Sequence, residues 1–156
     1  MLQKIKNHDK GFTIIEVLIV LAIAGLILLI VFLAVPALQR NSRNTQIRNS
    51  AASVLGGVSE FVSNNNGQMP TGVATAADGT VTITGGAGSS QVQIKIQGGH
   101  TAVNGTAMPG GTGAIVVYFN RKCNNNAFAA AATNRAVAAG FLVEGSGSNP
   151  TQCVES

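Results

Sequence analysis

One stretch near the N-terminus decides the fold: residues 11–39 read GFTIIEVLIVLAIAGLILLIVFLAVPALQ. Within it, the 22 residues from Val17 to Leu38 carry no charge, no amide and no hydroxyl group. At about 1.5 Å per residue, a helix of that length crosses the roughly 30 Å hydrocarbon core of a bilayer. The sequence therefore predicts one long apolar helix, followed by a more polar domain.

The basic residues before this helix predict its orientation. Lys4, Lys6 and Lys10 place the N-terminus in the cytoplasm and the rest of the chain outside, by the positive-inside rule. A secretory signal has an apolar core of about 7–15 residues and a small-residue cleavage site after it. This core is longer, and Glu16 interrupts its start. A plain membrane anchor fits the length, but it does not explain the glutamate.

Glu16 is the ionisable group inside the apolar run. A carboxylate there costs about 2.5 kcal/mol or more, so it needs a partner or a function. The surrounding residues 10–18, KGFTIIEVL, resemble the processing and assembly signature of type IV pilins and their pseudopilin relatives. The resemblance extends well over residues 10–55 and covers the remainder in outline.

The resemblance implies how the N-terminus is processed. A dedicated prepilin peptidase is expected to cut after Gly11 on the cytoplasmic side, and Phe12 becomes the N-methylated terminus. Glu16 then occupies the fifth mature position, where the family has its glutamate. Gly25 matches a glycine of the family helix. Pro36 lies later than the proline common in the family, so the resemblance leaves open where between Gly25 and Pro36 the helix unwinds in a filament.

Cleavage also implies a role for Glu16. It creates an α-amino group at Phe12 that is partly charged near neutral pH. The Glu16 carboxylate of one subunit is expected to pair with the Phe12 amine of another, which favours extraction from the bilayer and fixes subunit register. The alternative is a carboxylate that reaches outward from the membrane interface.

The sequence divides the chain into a leader at 1–11, a transmembrane or filament-core helix at 12–38, an amphipathic continuation at 39–66 and a head at 67–156. Helical spacing of three and four in the continuation predicts one apolar face. Its members are Ile47, Ala51, Val54, Leu55, Val58, Phe61 and Val62. The helix is expected to end at the polar run 64–66, with Gly67 as a left-handed cap. A solvated face is expected for the arginines of this segment, with lipid phosphates or acidic neighbours as alternatives: Arg40, Arg43 and Arg48.

The head is predicted to be a small antiparallel sheet, which makes the fold α+β and pilin-like. Thr80–Thr84 and Gln91–Gln97 alternate apolar and polar residues, as strands with one solvated face do, and the Gly-rich residues between them suggest a hairpin. The apolar run Ala114–Phe119 predicts a central strand. The alanine-rich segment 127–143 is ambiguous between helix and strand. From the family outline we expect the last strand at about Arg135–Glu144.

The two cysteines, Cys123 and Cys153, suggest one disulfide, because their number is even and the head is predicted to lie outside the membrane. A bridge closing about 30 residues is worth roughly 3–4 kcal/mol in the chain-entropy model. It also resembles the disulfide-bounded terminal region of many pilins. The alternative is two free thiols or half a metal site, for which His100 is the available companion ligand.

Composition argues against several functions. Of ten Lys/Arg and six Asp/Glu, the leader holds three and one, so the mature chain keeps seven positive and five negative side chains. That balance is too weak to indicate a dedicated nucleic-acid binder. No catalytic residues, metal ligands or cofactors are predicted, since no acid pair or histidine constellation has a suitable spacing. The sequon at Asn104 is a short motif that occurs by chance.

The sequence therefore predicts a structural subunit of a type IV pilus, not an enzyme. Its expected partners are identical subunits in a helical filament, the prepilin peptidase and methylase, the inner-membrane assembly machinery and, before assembly, the membrane. Such filaments serve adhesion, surface motility or DNA uptake, with DNA or a host-cell surface as candidate targets. The alternatives are a minor pilin or secretion or competence pseudopilin and, from another class, a membrane-anchored surface binding domain.

Overall fold

A computed structural model of the chain describes residues 11–130, 133–145 and 147–156. The long helix α1 spans Ile14–Asn64 and precedes all the strands. The strands are β1 Gly72–Thr75, β2 Thr80–Thr84, β3 Val92–Lys95, β4 Thr101–Asn104, β5 Ala114–Phe119, β6 Arg121–Asn124, β7 Ala127–Ala130, β8 Val137–Leu142 and β9 Thr151–Glu155. The chain forms two compact units, of which the first ends at Leu38 and the second comprises Gln39–Ser156.

In the first unit, α1 packs against no other described element. Every large apolar side chain from Ile14 to Leu38 is exposed. By length and composition, this helix is able to cross a membrane. The predicted apolar helix is thus confirmed, and its side chains find no burial within the unit.

In the second unit, α1 is amphipathic. Its buried residues are Ile47, Ser50, Ala51, Val54, Leu55, Gly57, Val58 and Phe61. The predicted apolar face is confirmed except at Val62, which is half-buried. Gly57 allows the closest approach: a Cβ there would lie 2.9 Å from the side chain of Ile83 and 3.2 Å from that of Ile94. The Ser50 hydroxyl donates to the Gln97 carbonyl at 3.3 Å.

The helix ends in a left-handed turn, as predicted. Asn66 and Gly67 have φ of 53° and 82°, and the Gly67 N–H donates to the Val62 carbonyl at 2.8 Å. This is the six-to-one bond of a Schellman cap. The buried Asn65 amide donates to the carbonyls of Phe61 and Ser90 and accepts from the Ser90 N–H at 2.7 Å. The end of α1 is therefore bonded to the loop after β2.

Three small sheets follow the helix. The first has the order β1-β2-β3 and is antiparallel, so the predicted hairpin is confirmed, although β3 is shorter than the predicted Gln91–Gln97. The second has the order β4-β5-β8-β9, with the predicted β5 in an inner position. The third is the β6-β7 hairpin. The head is antiparallel as predicted except at β4 and β5, which pair in parallel.

Two expectations for the C-terminal part need correction. The predicted last strand, Arg135–Glu144, forms β8, but β9 follows and pairs with it. Val154 is the one aliphatic residue in Thr151–Glu155, so this segment lacks the alternation of apolar and polar residues that would have predicted an edge strand. The alanine-rich residues 127–130 form β7, because Asn125 and Asn126, with φ of 46° and 63°, make the tight turn that pairs them with β6. Helix propensity is overridden there.

Thr75 connects the first and second sheets. Its hydroxyl donates to the Ala102 carbonyl at 2.9 Å and accepts from the Ala102 N–H at 2.7 Å. Ala102 is fully buried at the edge of the second sheet. One side chain therefore provides the two hydrogen bonds that a neighbouring strand would otherwise make to this residue.

Thr75→Val is expected to destabilise the head by about 2–6 kcal/mol, because it leaves both the N–H and the carbonyl of Ala102 unpaired and each such buried group costs roughly 1–3 kcal/mol. Urea unfolding of the full chain in detergent, followed by far-UV circular dichroism, measures the loss. Thr82→Val is the matched control, since the Thr82 hydroxyl makes no hydrogen bond to a described residue. Equal effects of the two substitutions would show that Thr75 has no special bridging role.

Candidate functional site

The residues before α1 form an exposed segment. Gly11, Phe12 and Thr13 have no regular secondary structure, and Phe12 is 88% exposed. Among the described residues, no atom lies within 4 Å of the position that a Cβ on Gly11 would take. Exposed, irregular segments are where proteases cut most readily. The bond between Gly11 and Phe12 is therefore accessible.

Glu16 and Thr13 form a reciprocal cap on the first turn of α1. One carboxylate oxygen, Oε2, accepts from the Thr13 N–H at 2.9 Å and from the Thr13 hydroxyl at 2.7 Å. The Glu16 N–H in turn donates to the Thr13 hydroxyl at 3.3 Å. This is a capping box, and the negative charge also lies at the favourable end of the helix dipole.

The cap gives Glu16 a partner within its own chain. Sequence reasoning assigned the partner to another subunit and missed Thr13, although Thr-x-x-Glu before an apolar run is a recognised capping signal. The cap occupies Oε2, whereas Oε1 makes no hydrogen bond to any described residue. Glu16 therefore has one oxygen that supports the helix and one that is available to a further donor.

Gly25 and Pro36 both lie inside α1, which is helical across them. No heavy atom lies within 4 Å of a Cβ placed on Gly25. Pro36 has no N–H, so the carbonyl four residues earlier, at Phe32, loses its usual donor. A glycine and a proline inside a helix each reduce its local stability. Local unwinding between them in a filament stays a prediction.

In the second unit, Glu144 fastens the end of β8 to α1. Both of its carboxylate oxygens accept from the Arg43 guanidinium, at 2.7 and 2.6 Å. Asn44 accepts from the Glu144 N–H at 2.7 Å and donates to the Glu144 carbonyl at 2.9 Å, as a neighbouring strand would. The hydrogen bonds from Arg43 lower the pKa of Glu144 and raise the pKa of Arg43.

The arginines after the apolar segment thus differ from one another. Arg43 is exposed, as expected for a solvated face, and it also binds an acidic residue of its own chain, which was the alternative. The Arg48 guanidinium donates to the Gln152 side chain at 3.1 Å. Partners this distant in sequence have no local signal, so sequence reasoning did not identify them.

The predicted disulfide is confirmed. Cys123 and Cys153 are bonded, with their Cα atoms 5.6 Å apart and a sequence separation of 30. The bridge joins β6 to β9. The Cys123 N–H also donates to the Glu155 carboxylate at 2.7 Å, so a second contact links the same two strands. Within the described residues, no three His, Cys, Asp or Glu side chains are grouped to hold a metal ion.

Comparison with known proteins agrees with these features. A family model described as a prokaryotic N-terminal methylation motif matches residues 6–32. A fimbrial protein of Eikenella corrodens, EcpC, is 32% identical over 143 residues, covering 79% of this chain and 87% of that protein. No solved structure matches the chain significantly.

The N-terminal motif, the long helix and the small sheets together define a prepilin-type pilus subunit. The chain belongs to the type IV pilin family. The family relationship points to a structural protein that is anchored in a membrane before it enters a pilus, not to an enzyme.

Proposed function

We propose that the chain is a filament-forming subunit of a type IV pilus, cleaved between Gly11 and Phe12, N-methylated at Phe12 and assembled through residues 14–38. The observation that carries the proposal is the exposure of every large apolar side chain in that segment. Such a surface is stable in a bilayer or against copies of itself, but not in water. A pilus core supplies the second environment.

Assembly needs more than the hydrophobic effect. Lipid chains are as apolar as leucine, so moving the helix from bilayer to filament yields little hydrophobic free energy. Helix packing and polar contacts between subunits must favour the filament instead. Outside the cell the balance changes, because each large apolar side chain exposed to water costs about 1.5–3 kcal/mol. A subunit in the finished filament is thereby retained.

The polar contact is assigned to Glu16 and Phe12. Cleavage creates an α-amino group at Phe12, and Glu16 Oε1 accepts from the amine of a neighbouring subunit while Oε2 stays on Thr13. An ion pair in low-dielectric surroundings is favourable only when its geometry is good, so it selects one subunit register. The proposed filament accommodates adhesion, surface motility and DNA uptake.

The processing step is tested by mass spectrometry of the N-terminal peptide from material sheared off the cell surface. We expect a chain of 145 residues that begins with N-methylated Phe12, since eleven residues precede Phe12 in the sequence. A Gly11→Glu variant, whose cleavage site is blocked by a charged side chain, is expected to accumulate with Met1 intact in the membrane fraction.

Two other results are informative. A wild-type chain that begins at Met1 and occurs only in the membrane would contradict the proposal and favour an anchored surface domain. A correctly processed chain present only in trace amounts relative to another pilin in the sheared material would identify a minor pilin or pseudopilin.

A further inference from the structure

Among the described residues of the head, His100 is the buried polar side chain that has no hydrogen-bond partner. It directly precedes β4 and is 9% exposed. Both ring nitrogens, Nδ1 and Nε2, are buried, and neither makes a hydrogen bond to a described residue. A neutral imidazole has one donor and one acceptor, and no described residue satisfies either of them. Nothing in the proposed filament function uses this residue.

The ring lies beside a cavity of about 190 Å³. Its walls come from α1, the loop before β4, the loop before β5 and the end of β8, and are formed by Arg43, Asn44, Ile47, Gly98, Gly99, Thr112, Gly113, Leu142 and Glu144 together with His100. Four separate chain segments thus meet at one buried titratable group. A change in its charge acts on all of them at once.

Glycines leave space for the ring. Gly98 has φ of 83°, and a Cβ there would lie 2.8 Å from His100 Nε2. A Cβ on Gly113, with φ of 88°, would lie 3.8 Å from Nδ1. The ring is therefore held between two glycine-containing segments, and the Thr101 N–H next to it donates to the Gly113 carbonyl at 2.9 Å.

The charged groups on the cavity wall do not stabilise a protonated His100 ring. From α1 comes the Arg43 guanidinium, which is positive, and from the end of β8 comes Glu144. Both Glu144 oxygens are already bonded to Arg43. The two glycine-containing loops contribute no charge to the wall. Burial accordingly lowers the pKa of His100.

We propose that His100 is an acid-sensitive latch of the head, whose protonation releases the loops at Gly98–Gly99 and Thr112–Gly113 from α1. In the closed head the neutral ring lies between the loops and the helix. In the open head the ring is hydrated and takes up a proton freely. Acid therefore favours the open form, while Asn44 and Asn65 still hold the two ends of the head segment of α1.

Proton linkage gives the direction and the size of the effect of pH on the ratio of open to closed heads. Because the pKa of His100 is lower in the closed head than in solvent, the open form binds more protons as the pH falls below the solvent value of about 6.5. The ratio of open to closed heads is constant above that pH. Below that pH it rises by at most about tenfold per pH unit, and it stops rising once the closed form also titrates.

The titration itself is measured on the mature chain in detergent micelles. The chain has two histidines, and loss of the leader removes His8, so one imidazole signal remains in the NMR spectrum. We expect that signal to titrate below pH 6.5. A midpoint at or above 6.5 would overturn the proposal, because it would mean that Glu144 or another group accommodates the charged ring in the closed head.

Opening is measured by amide hydrogen exchange of the same sample at pH 7.5 and 5.5, corrected for the intrinsic pH dependence of exchange. Peptides covering residues 98–113 are expected to open more often at pH 5.5, by up to about tenfold, and peptides from the buried part of α1 are not. His100→Gln keeps a polar side chain without titrating, and it should abolish the difference between the two pH values. Equal pH responses of the wild type and the variant would refute the latch.

Discussion

Replacing Glu16 with alanine is expected to abolish surface filaments while the processed chain accumulates in the membrane. The substitution removes the proposed acceptor for the Phe12 amine of the neighbouring subunit. A buried charge that loses its partner costs about 3–5 kcal/mol, which corresponds to more than a hundredfold at each subunit contact. Immunoblots of sheared and membrane fractions measure the redistribution, and the N-terminal peptide shows whether cleavage still occurs.

Two controls separate the contact between subunits from the cap within the chain. Glu60→Ala removes an exposed glutamate of the same helix and should leave filaments at the wild-type level. Thr13→Val removes the hydroxyl of the cap but keeps the Glu16 carboxylate. Loss of a cap costs about 0.5–2 kcal/mol, so this variant should still form filaments, in reduced amount.

The test depends on comparing the filament yields of Thr13→Val and Glu16→Ala. If Thr13→Val lost filaments as completely as Glu16→Ala, helix capping would account for the role of Glu16 and no contact with the Phe12 amine would be needed. Wild-type filaments from Glu16→Ala would instead favour a carboxylate that only reaches toward the membrane interface.

The second large effect is expected from the disulfide. Replacing Cys123 and Cys153 together with alanine should lower the free energy of unfolding of the head by about 3–4 kcal/mol, because the bridge closes a loop of 30 residues. The β6-β7 hairpin pairs with no further strand in its sheet, and an isolated two-stranded hairpin is marginal in water. The bridge to β9 is therefore its principal covalent support.

Urea unfolding of the full chain in detergent, with and without reductant, measures this contribution. Reductant should shift the wild-type midpoint toward that of the double variant and should leave the variant unchanged. The Glu155→Gln variant keeps the bridge and weakens only the neighbouring contact to the Cys123 N–H, so its shift should be small. If reductant left the wild-type urea midpoint unchanged, the disulfide would not contribute the expected ~3–4 kcal/mol to the free energy of unfolding.

The elements that could be predicted from the sequence are those with a strong local pattern of apolar residues. The apolar face around Val54 and Val58 has helical spacing, Thr80–Thr84 alternates, and Ala114–Phe119 is a continuous apolar run, so each predicted its element. By contrast, β1 and β4 are four residues each, with little apolar character. Their positions depend on contacts such as that of Thr75 with Ala102, which joins residues far apart in the chain.

The candidate site shows the same division. Gly11, Phe12 and Glu16 were identified through a family signature, and Thr13 was missed although its capping motif was visible. Asn44 and Arg43 had no such signal, because their partner Glu144 lies a hundred residues away in sequence. His100 was considered only as a possible metal ligand. Its isolation from hydrogen-bond partners is a property of packing, which spacing does not report.

The side-chain anchors along α1 have a mechanical consequence. Asn44 bonds to Glu144, Ser50 to Gln97 and Asn65 to Ser90, so the head is tied to the helix near both ends and in between. At about 1.5 Å per residue, these ties are spread over roughly 30 Å of helix. A pull along the helix axis loads all three in shear and divides the force among them. A pull across the axis would instead break them one after another, so the head resists tension along α1 better than sideways peeling.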